Sequence, residues 1–285
     1  MRRWYLQPSI LVGSIILLTV LAAALLAGWL YPGDPLDMVG APYVWPGDDR
    51  ELPLGTDLMG RDLTAGLLHG ARVSLLVGVS SAVLSLAIGI AVGAAAGFYR
   101  GRVDAVLTRI TEFFQTIPAF LLAIILVAVL RPTLGTIVFA LGVTSWTSIA
   151  RLVRSEFITL REREFVRASI ALGASDAHLI FREILPNAWT PVIVSTALLV
   201  ANAILSEAGL SFLGLGDPNL VSWGSMIGLG RDALRTGWYM TAIPGLAIVL
   251  TVLALNLLSD ALHAALNPRL RRAERLNLPS STATP

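Results

Sequence analysis

The 285-residue sequence contains no cysteine and no lysine, and only three histidines, at positions 69, 178 and 263. Without cysteine there is no thiol nucleophile and no cysteine-built zinc or iron–sulfur site. Without lysine there is neither a Schiff-base enzyme nor a P-loop ATPase, whose phosphate-binding lysine is required. The three histidines stand singly, which argues against a histidine-built metal centre. Charge is also scarce. Charged residues make up 14% of the chain, against about 25% in soluble globular proteins. Hydrophobic residues supply 55%, and the mean hydropathy is +0.73. Such a composition belongs to a membrane protein whose chemistry is supplied elsewhere.

A helix needs about 20 mostly apolar residues to cross the hydrocarbon core. Charge-free stretches run over 4–33, 73–99, 113–130, 132–150, 184–206 and 236–259. They predict six transmembrane helices, because backbone polar groups inside a bilayer must be bonded internally. Arg131-Pro132, with Gly135 just beyond, marks a turn between the third and fourth. All 21 basic residues are arginine. With a cytoplasmic N-terminus, fifteen of them fall on the inner side: 2, 3, 100, 102, 109, 151, 154, 161, 163, 167, 182, 269, 271, 272 and 275. Six fall outside, at 50, 61, 72, 131, 231 and 235. The positive-inside bias therefore predicts both termini in the cytoplasm. Arg2-Arg3, followed by Trp4 and Tyr5, reads as an uncleaved anchor of the first span, since the apolar run that follows exceeds a signal h-region. Three regions follow: 1–70 with the first span and an extracytoplasmic loop, 71–266 as a core of five spans, and 267–285 as a cytoplasmic tail.

In the first loop, residues 31–52 read as irregular. Thr56 or Asp57 is placed to cap a short interfacial helix before the second span, with Arg61 and Asp62 on its polar side. Gly89-Ile-Ala-Val-Gly93 and Gly93-Ala-Ala-Ala-Gly97 are successive small-xxx-small patterns, which mark a close helix–helix contact within the chain or with another subunit.

Residues 151–183 are the most informative segment. Phe165, Ala168/Ser169 and Leu172 recur at helical spacing, and Gly173 stops that helix. Ser175 or Asp176 caps a second, whose apolar face is Leu179, Ile180 and Ile184 until Pro186. The product is a cytoplasmic helix–turn–helix, too polar to insert and too patterned for a linker.

Here the chain resembles the permease subunits of ABC importers, whose cytoplasmic loop reads Glu-Ala-Ala-x3-Gly-x9-Ile-x-Leu-Pro. Ala168, Gly173, Leu185 and Pro186 match in register, while Arg167, Ser169 and Glu183 stand where the pattern has glutamate, alanine and isoleucine. Leu54-Gly-Thr-Asp57, Gly60-Arg-Asp62, Gly70-Ala-Arg-Val-Ser-Leu75, Leu172-Gly-Ala-Ser-Asp176, Ser211-Phe-Leu-Gly-Leu-Gly216, Ser222-Trp-Gly224 and Asn267-Pro-Arg269 are similar to the C-type subunits of dipeptide and oligopeptide systems, which include nickel and glutathione importers.

The resemblance implies an all-α integral membrane protein of the type I ABC importer permease fold. It implies a second, B-type permease subunit, two cytoplasmic ATPase subunits that hold ATP and magnesium, and an extracytoplasmic substrate-binding protein. The cytoplasmic membrane surrounds it, with no cofactor on this chain and no nucleic acid. The loop docking on the ATPases would comprise Glu164, Arg167, Ala168, Ser169, Leu172, Gly173, Ala174, Ser175, Asp176, Leu185 and Pro186.

Gln115, Ser206 and Glu207 are read as lining a substrate path. Glu207 has a second reading, as an interfacial carboxylate paired with Arg231 or Arg235 or capping a local turn. Asn256 and Asp260 are expected to pair with cytoplasmic arginines. Residues 209–230 read as an outer loop or a partly re-entrant segment. A secondary transporter fits less well, since neither an inverted repeat nor a central acid cluster is evident, and no acid–base–nucleophile set suggests an enzyme.

Overall fold

The computed structural model describes residues 8–266. The anchor at Arg2, Arg3, Trp4 and Tyr5, the Asn267-Pro-Arg269 motif and the arginines of 267–285 lie outside the described residues. The described chain is helical apart from loops and two isolated β-bridges. Helices α1 (Pro8–Leu30), α2 (Leu63–Tyr99), α5 (Leu134–Arg161), α8 (Leu185–Phe212) and α10 (Tyr239–Leu266) form the bundle. Shorter elements are α3 (Gly101–Thr116), α4 (Ala119–Leu130), α6 (Glu164–Ala171), α7 (Asp176–His178) and α9 (Trp223–Gly230).

Five helical stretches are long and apolar enough to cross a membrane, and a sixth if the bent pair α3–α4 is one span. That third span is not the straight helix expected over 113–130. Pro118 cannot donate a backbone hydrogen bond, and it pushes Ile117 into extended backbone (φ −91, ψ 126). The chain bends by 82° there. The α3 half escaped the charge-free count because Arg102, Asp104, Arg109 and Glu112 interrupt it.

The small-residue stripe of α2 packs inside the chain, against α5. Gly89 faces Ile149 and Trp146, Gly93 faces Ala150 and Val153, and Gly97 faces Arg154 and Phe157. At Gly93 a Cβ would lie 2.4 Å from the Ala150 carbonyl oxygen, so only glycine permits this approach. Ser85 donates to the Gly142 carbonyl at 3.0 Å in the same seam. Because both residue numbers rise together along the contact, α2 and α5 run parallel. The intervening α3–α4 must therefore carry the chain back across the bundle. α8 runs antiparallel to α2, with Ile204 against Gly78 and Glu207 against Ser74. Gly13 of α1 packs on Ala254, Leu257 and Leu258 of α10.

At one end of the bundle the 31–62 loop is folded. No short helix forms over 54–62. Asp57 instead accepts from the backbone of Met59 (2.7 Å) and Arg61 (2.9 Å), using its side chain for a turn. The cap is Asp62, which accepts from Thr64 N–H at 2.7 Å and opens α2 itself. That helix, at about 1.5 Å per residue, is roughly 55 Å long and outreaches a hydrocarbon core of about 30 Å. Tyr239 of α10 donates to the carbonyls of Val44 (2.9 Å) and Thr56 (3.1 Å) and ties the loop down. Trp45 packs on Tyr239 with ring centroids 5.0 Å apart and the rings tilted by 49°.

Candidate functional site

The helix–turn–helix sits at the opposite end of the bundle from the 31–62 loop. α6 closes with backbone bonds from Leu172 to Ala168 and from Gly173 to Ile170. Gly173 adopts φ +80, a left-handed position that suits glycine. Ser175 then caps α7 by accepting from His178 N–H at 3.4 Å. Ala174 N–H returns to the Ser169 carbonyl at 3.0 Å, so the turn closes on itself.

Pro186 does not end the second helix as the sequence reading had it. Leu179–Ile184 is a π-helical stretch that runs directly into α8, with Pro186 in its first turn. Leu185 N–H reaches back to the Ile180 carbonyl, the i to i−5 bond of a π turn. Pro186 lacks an N–H, so it costs least where the ladder is already displaced by one residue.

Two surfaces separate cleanly. Val166 and Ile184 are fully buried and Leu179 nearly so; they pack on Phe98, Val153, Phe157, Ala188 and Val192. Phe165, Leu172 and Phe181 point away from the chain, with Leu172 88% and Phe181 66% exposed. The periodicity of Phe165, Ala168/Ser169 and Leu172 was real, yet this is the outward face and Val166 is the inward anchor.

Polar contacts stitch the loop to the bundle. Arg167 pairs with Glu162 at 2.5 Å, and Glu162 pairs with Arg100 at 2.7 Å. These two guanidinium groups, Arg167 foremost, hold the Glu162 carboxyl below its ordinary range. Ser169 donates to Glu183 Oε1 at 3.2 Å, and His178 Nε2 lies 3.5 Å from the same oxygen. Two of the three departures from the family pattern, Ser169 and Glu183, are therefore partners of each other. Arg154 holds Asp104 of α3 through two bonds of 2.5 and 2.7 Å, and Arg161 donates to the Phe98 carbonyl while its guanidinium lies over the Phe98 ring. Asp260 is exposed. Among the described residues it pairs with none of the cytoplasmic arginines expected as its partners.

The three path candidates are not equivalent. Gln115 is exposed on α3, just before the bend, and Ser206 is half-buried on α8. Glu207 is 2% exposed and pairs with neither Arg231 nor Arg235 among the described residues. Its carboxylate instead accepts from Ser222 (2.6 Å) and Ser211 (2.7 Å) at Oε1, and from Ser74 (3.5 Å) at Oε2. Arg231 turns elsewhere, donating to the Phe212 carbonyl at 2.9 Å. Sequence reasoning ended the fifth span at Ser206 because a carboxylate follows, whereas α8 continues to Phe212. It also missed α9. The available signal was Ser222-x-x-Ser225, whose side chains form a reciprocal capping box.

Between the 31–62 loop and the 211–232 segment lies a cavity of about 480 Å³, walled by Leu36, Arg61, Ser211, Asp217, Met226 and Arg231 among others. Its aspartate wall is internally engaged: Asp217 accepts from Leu134 N–H at 2.9 Å and Asn219 N–H at 3.0 Å.

Comparison with known proteins adds the following. Residues 89–272 match the family model described as "Binding-protein-dependent transport system inner membrane component". The chain is 40% identical over 267 residues to the di/tripeptide transport system permease protein DppC of Pseudomonas aeruginosa, covering 92% of this chain and 88% of that protein. It is 34% identical over 271 residues to the glutathione transport system permease protein GsiD of Pectobacterium atrosepticum, covering 95% and 90%. Among solved structures, a chain of the MetNI methionine ABC transporter, in inward-facing form, superposes with a TM-score of 0.58 at 19% identity, covering 71% of this chain and 96% of that one. This last likeness shows the fold.

Proposed function

This chain belongs to the binding-protein-dependent transport system inner membrane components, and from that membership we propose that it is one permease subunit of an ATP-driven importer of di- or oligopeptides. The relatives carry that substrate class in their names. In this reading the chain lies in the cytoplasmic membrane with both termini inside. It pairs with a homologous B-type permease, and receives peptide from an extracytoplasmic binding protein at the end formed by residues 31–62 and 211–238. ATP and magnesium are held by two separate ATPase subunits, because the lysine-free sequence has no P-loop of its own.

The observation that carries the reading is the exposed apolar group Phe165, Leu172 and Phe181 on a helix–turn–helix anchored from behind by Val166, Leu179 and Ile184. A group of large apolar side chains exposed together on an element outside the membrane, rimmed by charge, is the mark of a protein–protein contact. The ATPase is the partner. Glu164, Arg167, Ala168, Ser169, Leu172, Gly173, Ala174, Ser175 and Asp176 then form the docking surface, and Leu185 and Pro186 couple it into α8. Movement of the docked ATPases would reach the bundle as a rigid-body shift of this lever.

The test is co-purification. Leu172→Asp should abolish retention of the ATPase subunits and peptide import while the chain still inserts in the membrane. Retention at wild-type levels would refute the assignment, as would ATP hydrolysis by the purified chain alone. Import of nickel chelates or glutathione by the same architecture is distinguished by the ligand bound to the delivery protein.

A further inference from the structure

Glu207 is a carboxylate buried in the bundle with no cation beside it among the described residues. Its surroundings are built from serine hydroxyls, and their hydrogen bonds have one consistent direction. Ser222 Oγ accepts from Ser225 N–H at 3.1 Å, which leaves its proton for Glu207 Oε1 at 2.6 Å. Ser74 Oγ accepts from Trp223 N–H at 3.2 Å, which leaves its proton for Oε2. Ser211, one turn along α8, donates to Oε1 at 2.7 Å. The hydroxyls of Ser222 and Ser74 are thus each oriented by a backbone N–H, and all three serines terminate on the same carboxyl. Three elements meet there: α2 through Ser74, α8 through Glu207 and Ser211, and the N-terminus of α9 through Ser222 and Trp223.

The seat of α9 is correspondingly tight. Trp223 is buried and donates from its indole to the Leu67 carbonyl at 2.9 Å. A Cβ on Gly224 would fall 2.5 Å from Ala208 Cα, and one on Gly70 would fall 3.1 Å from the Trp223 ring. Met226, one turn on, packs against Gly66 of α2 and walls the 480 Å³ cavity.

We propose that Glu207 is a positioning residue whose carboxyl clamps α9 onto α2 and α8, fixing the 214–232 segment as the wall of that cavity. The clamp works through the hydrogen bonds the carboxyl receives from the three serines. Its contribution to transport rests on the function proposed above: the held segment is part of the face that meets the delivery protein.

Glutamine separates acceptor geometry from charge. Its carbonyl oxygen can keep the bonds from Ser211 and Ser222, while its amide can donate to the free lone pair of Ser74. Leucine, of similar size, strands all three hydroxyls.

The cysteine-free chain makes the readout clean: Met226→Cys places a single thiol beneath α9, and its modification by a maleimide reports whether α9 lifts. In the assembled complex we expect Glu207→Gln to leave the labelling rate within about twofold of the parent. Glu207→Leu should raise it at least tenfold. In proteoliposomes of the unlabelled variants, Glu207→Leu should raise the half-saturating concentration of delivery protein at least fivefold with a smaller change in maximal rate. Glu207→Gln should restore the parent value.

Equal protection in Glu207→Leu overturns the clamp. Glutamine failing as badly as leucine overturns it too, in favour of a charge role. Labelling as expected with an unchanged half-saturation removes the positioning role in transport. Should Glu207→Leu fail to assemble, Ser74→Ala and Ser222→Ala each delete one donor and should accelerate labelling to intermediate rates; unchanged rates in both refute the clamp. A parent complex that imports no peptide sinks the functional reading and leaves the labelling result standing on its own.

Discussion

Gly93→Ala is the substitution for which the fold makes its sharpest demand. The added Cβ would lie 2.4 Å from the Ala150 carbonyl oxygen and 2.8 Å from Val153 Cβ. The first neighbour is backbone and cannot rotate away, so α2 and α5 must separate by roughly 1 Å to reach ordinary contact, about 3.3–3.6 Å for carbon against a carbonyl oxygen. That movement also loosens the packing of Gly89 on Trp146 and Ile149 and of Gly97 on Arg154 and Phe157. Overpacking of a well-filled interior costs typically about 1–3 kcal/mol. The gain in helix propensity from glycine to alanine is about 1 kcal/mol in the other direction. The difference is a net loss of up to about 2 kcal/mol at Gly93, toward the upper end because the nearest obstacle is backbone. At Gly245, inside α10 with no atom within 4 Å of the added Cβ, the same change should leave stability level or raise it. Thermal unfolding of the two variants in detergent, followed by far-UV circular dichroism, gives the comparison. At about 2–4 °C per kcal/mol for chains of this size, Gly93→Ala should melt several degrees below the parent and below Gly245→Ala. Equal midpoints for the two variants would refute the reading of the stripe as an obligatory close approach.

That stripe shows how far the sequence speaks. Gly89, Gly93 and Gly97 declare a close helix contact, because nothing but a neighbouring backbone rewards three missing side chains on one face. They do not name the partner, which the parallel course of α2 and α5 supplies. Spans counted by absence of charge found every long helix, and they misplaced ends wherever a helix carries a charge within it: at Arg72 of α2, which donates to the Ala24 carbonyl, and at Glu207 of α8, which is bonded by serines. Pro118 and Pro186 look alike in sequence. One breaks the chain by 82° where no neighbouring turn absorbs it, and the other rides on a π turn and leaves the helix continuous.

The helix–turn–helix was legible because its punctuation is local: Gly173 stops, Ser175 restarts. Which apolar residues face inward was not, since both faces of a short helix carry them. Phe165 and Leu172 point out while Val166 points in, a distinction set by the position of Phe98 and Phe157 on other helices. The Thr56-Asp57-x-x-Gly60 run carried its own correction. An aspartate followed three residues later by glycine favours an Asx turn over a cap, and the turn is what forms.

Three further perturbations follow from the same contacts. Tyr239→Phe deletes the one hydroxyl proton shared between the Val44 and Thr56 carbonyls; at about 0.5–1.5 kcal/mol net, limited proteolysis should nick the 43–56 segment several-fold faster, and an unchanged rate would show that the loop is held by other contacts. Gly173→Val forces a β-branched residue toward φ +80, a left-handed position costing non-glycine residues roughly 1–2 kcal/mol; the chain should insert normally but lose bound ATPase, whereas wild-type retention together with wild-type import would exclude this turn from coupling. Glu162 supplies the pH test. Its pairing with Arg167 and Arg100 lowers the folded carboxyl below the ordinary 4.5, so the contribution of the pair is present above that value and fades as pH falls through the lower folded one. Protease protection of the 162–178 segment should accordingly be flat from neutral pH down to about 4.5 and fall only below it, and in Glu162→Gln it should be reduced already at neutral pH with no further acid step from this site. A parent transition centred above the ordinary glutamate range would mean that the arginines do not hold this carboxylate ionised, and that the loop is fastened by Val166, Leu179 and Ile184 alone.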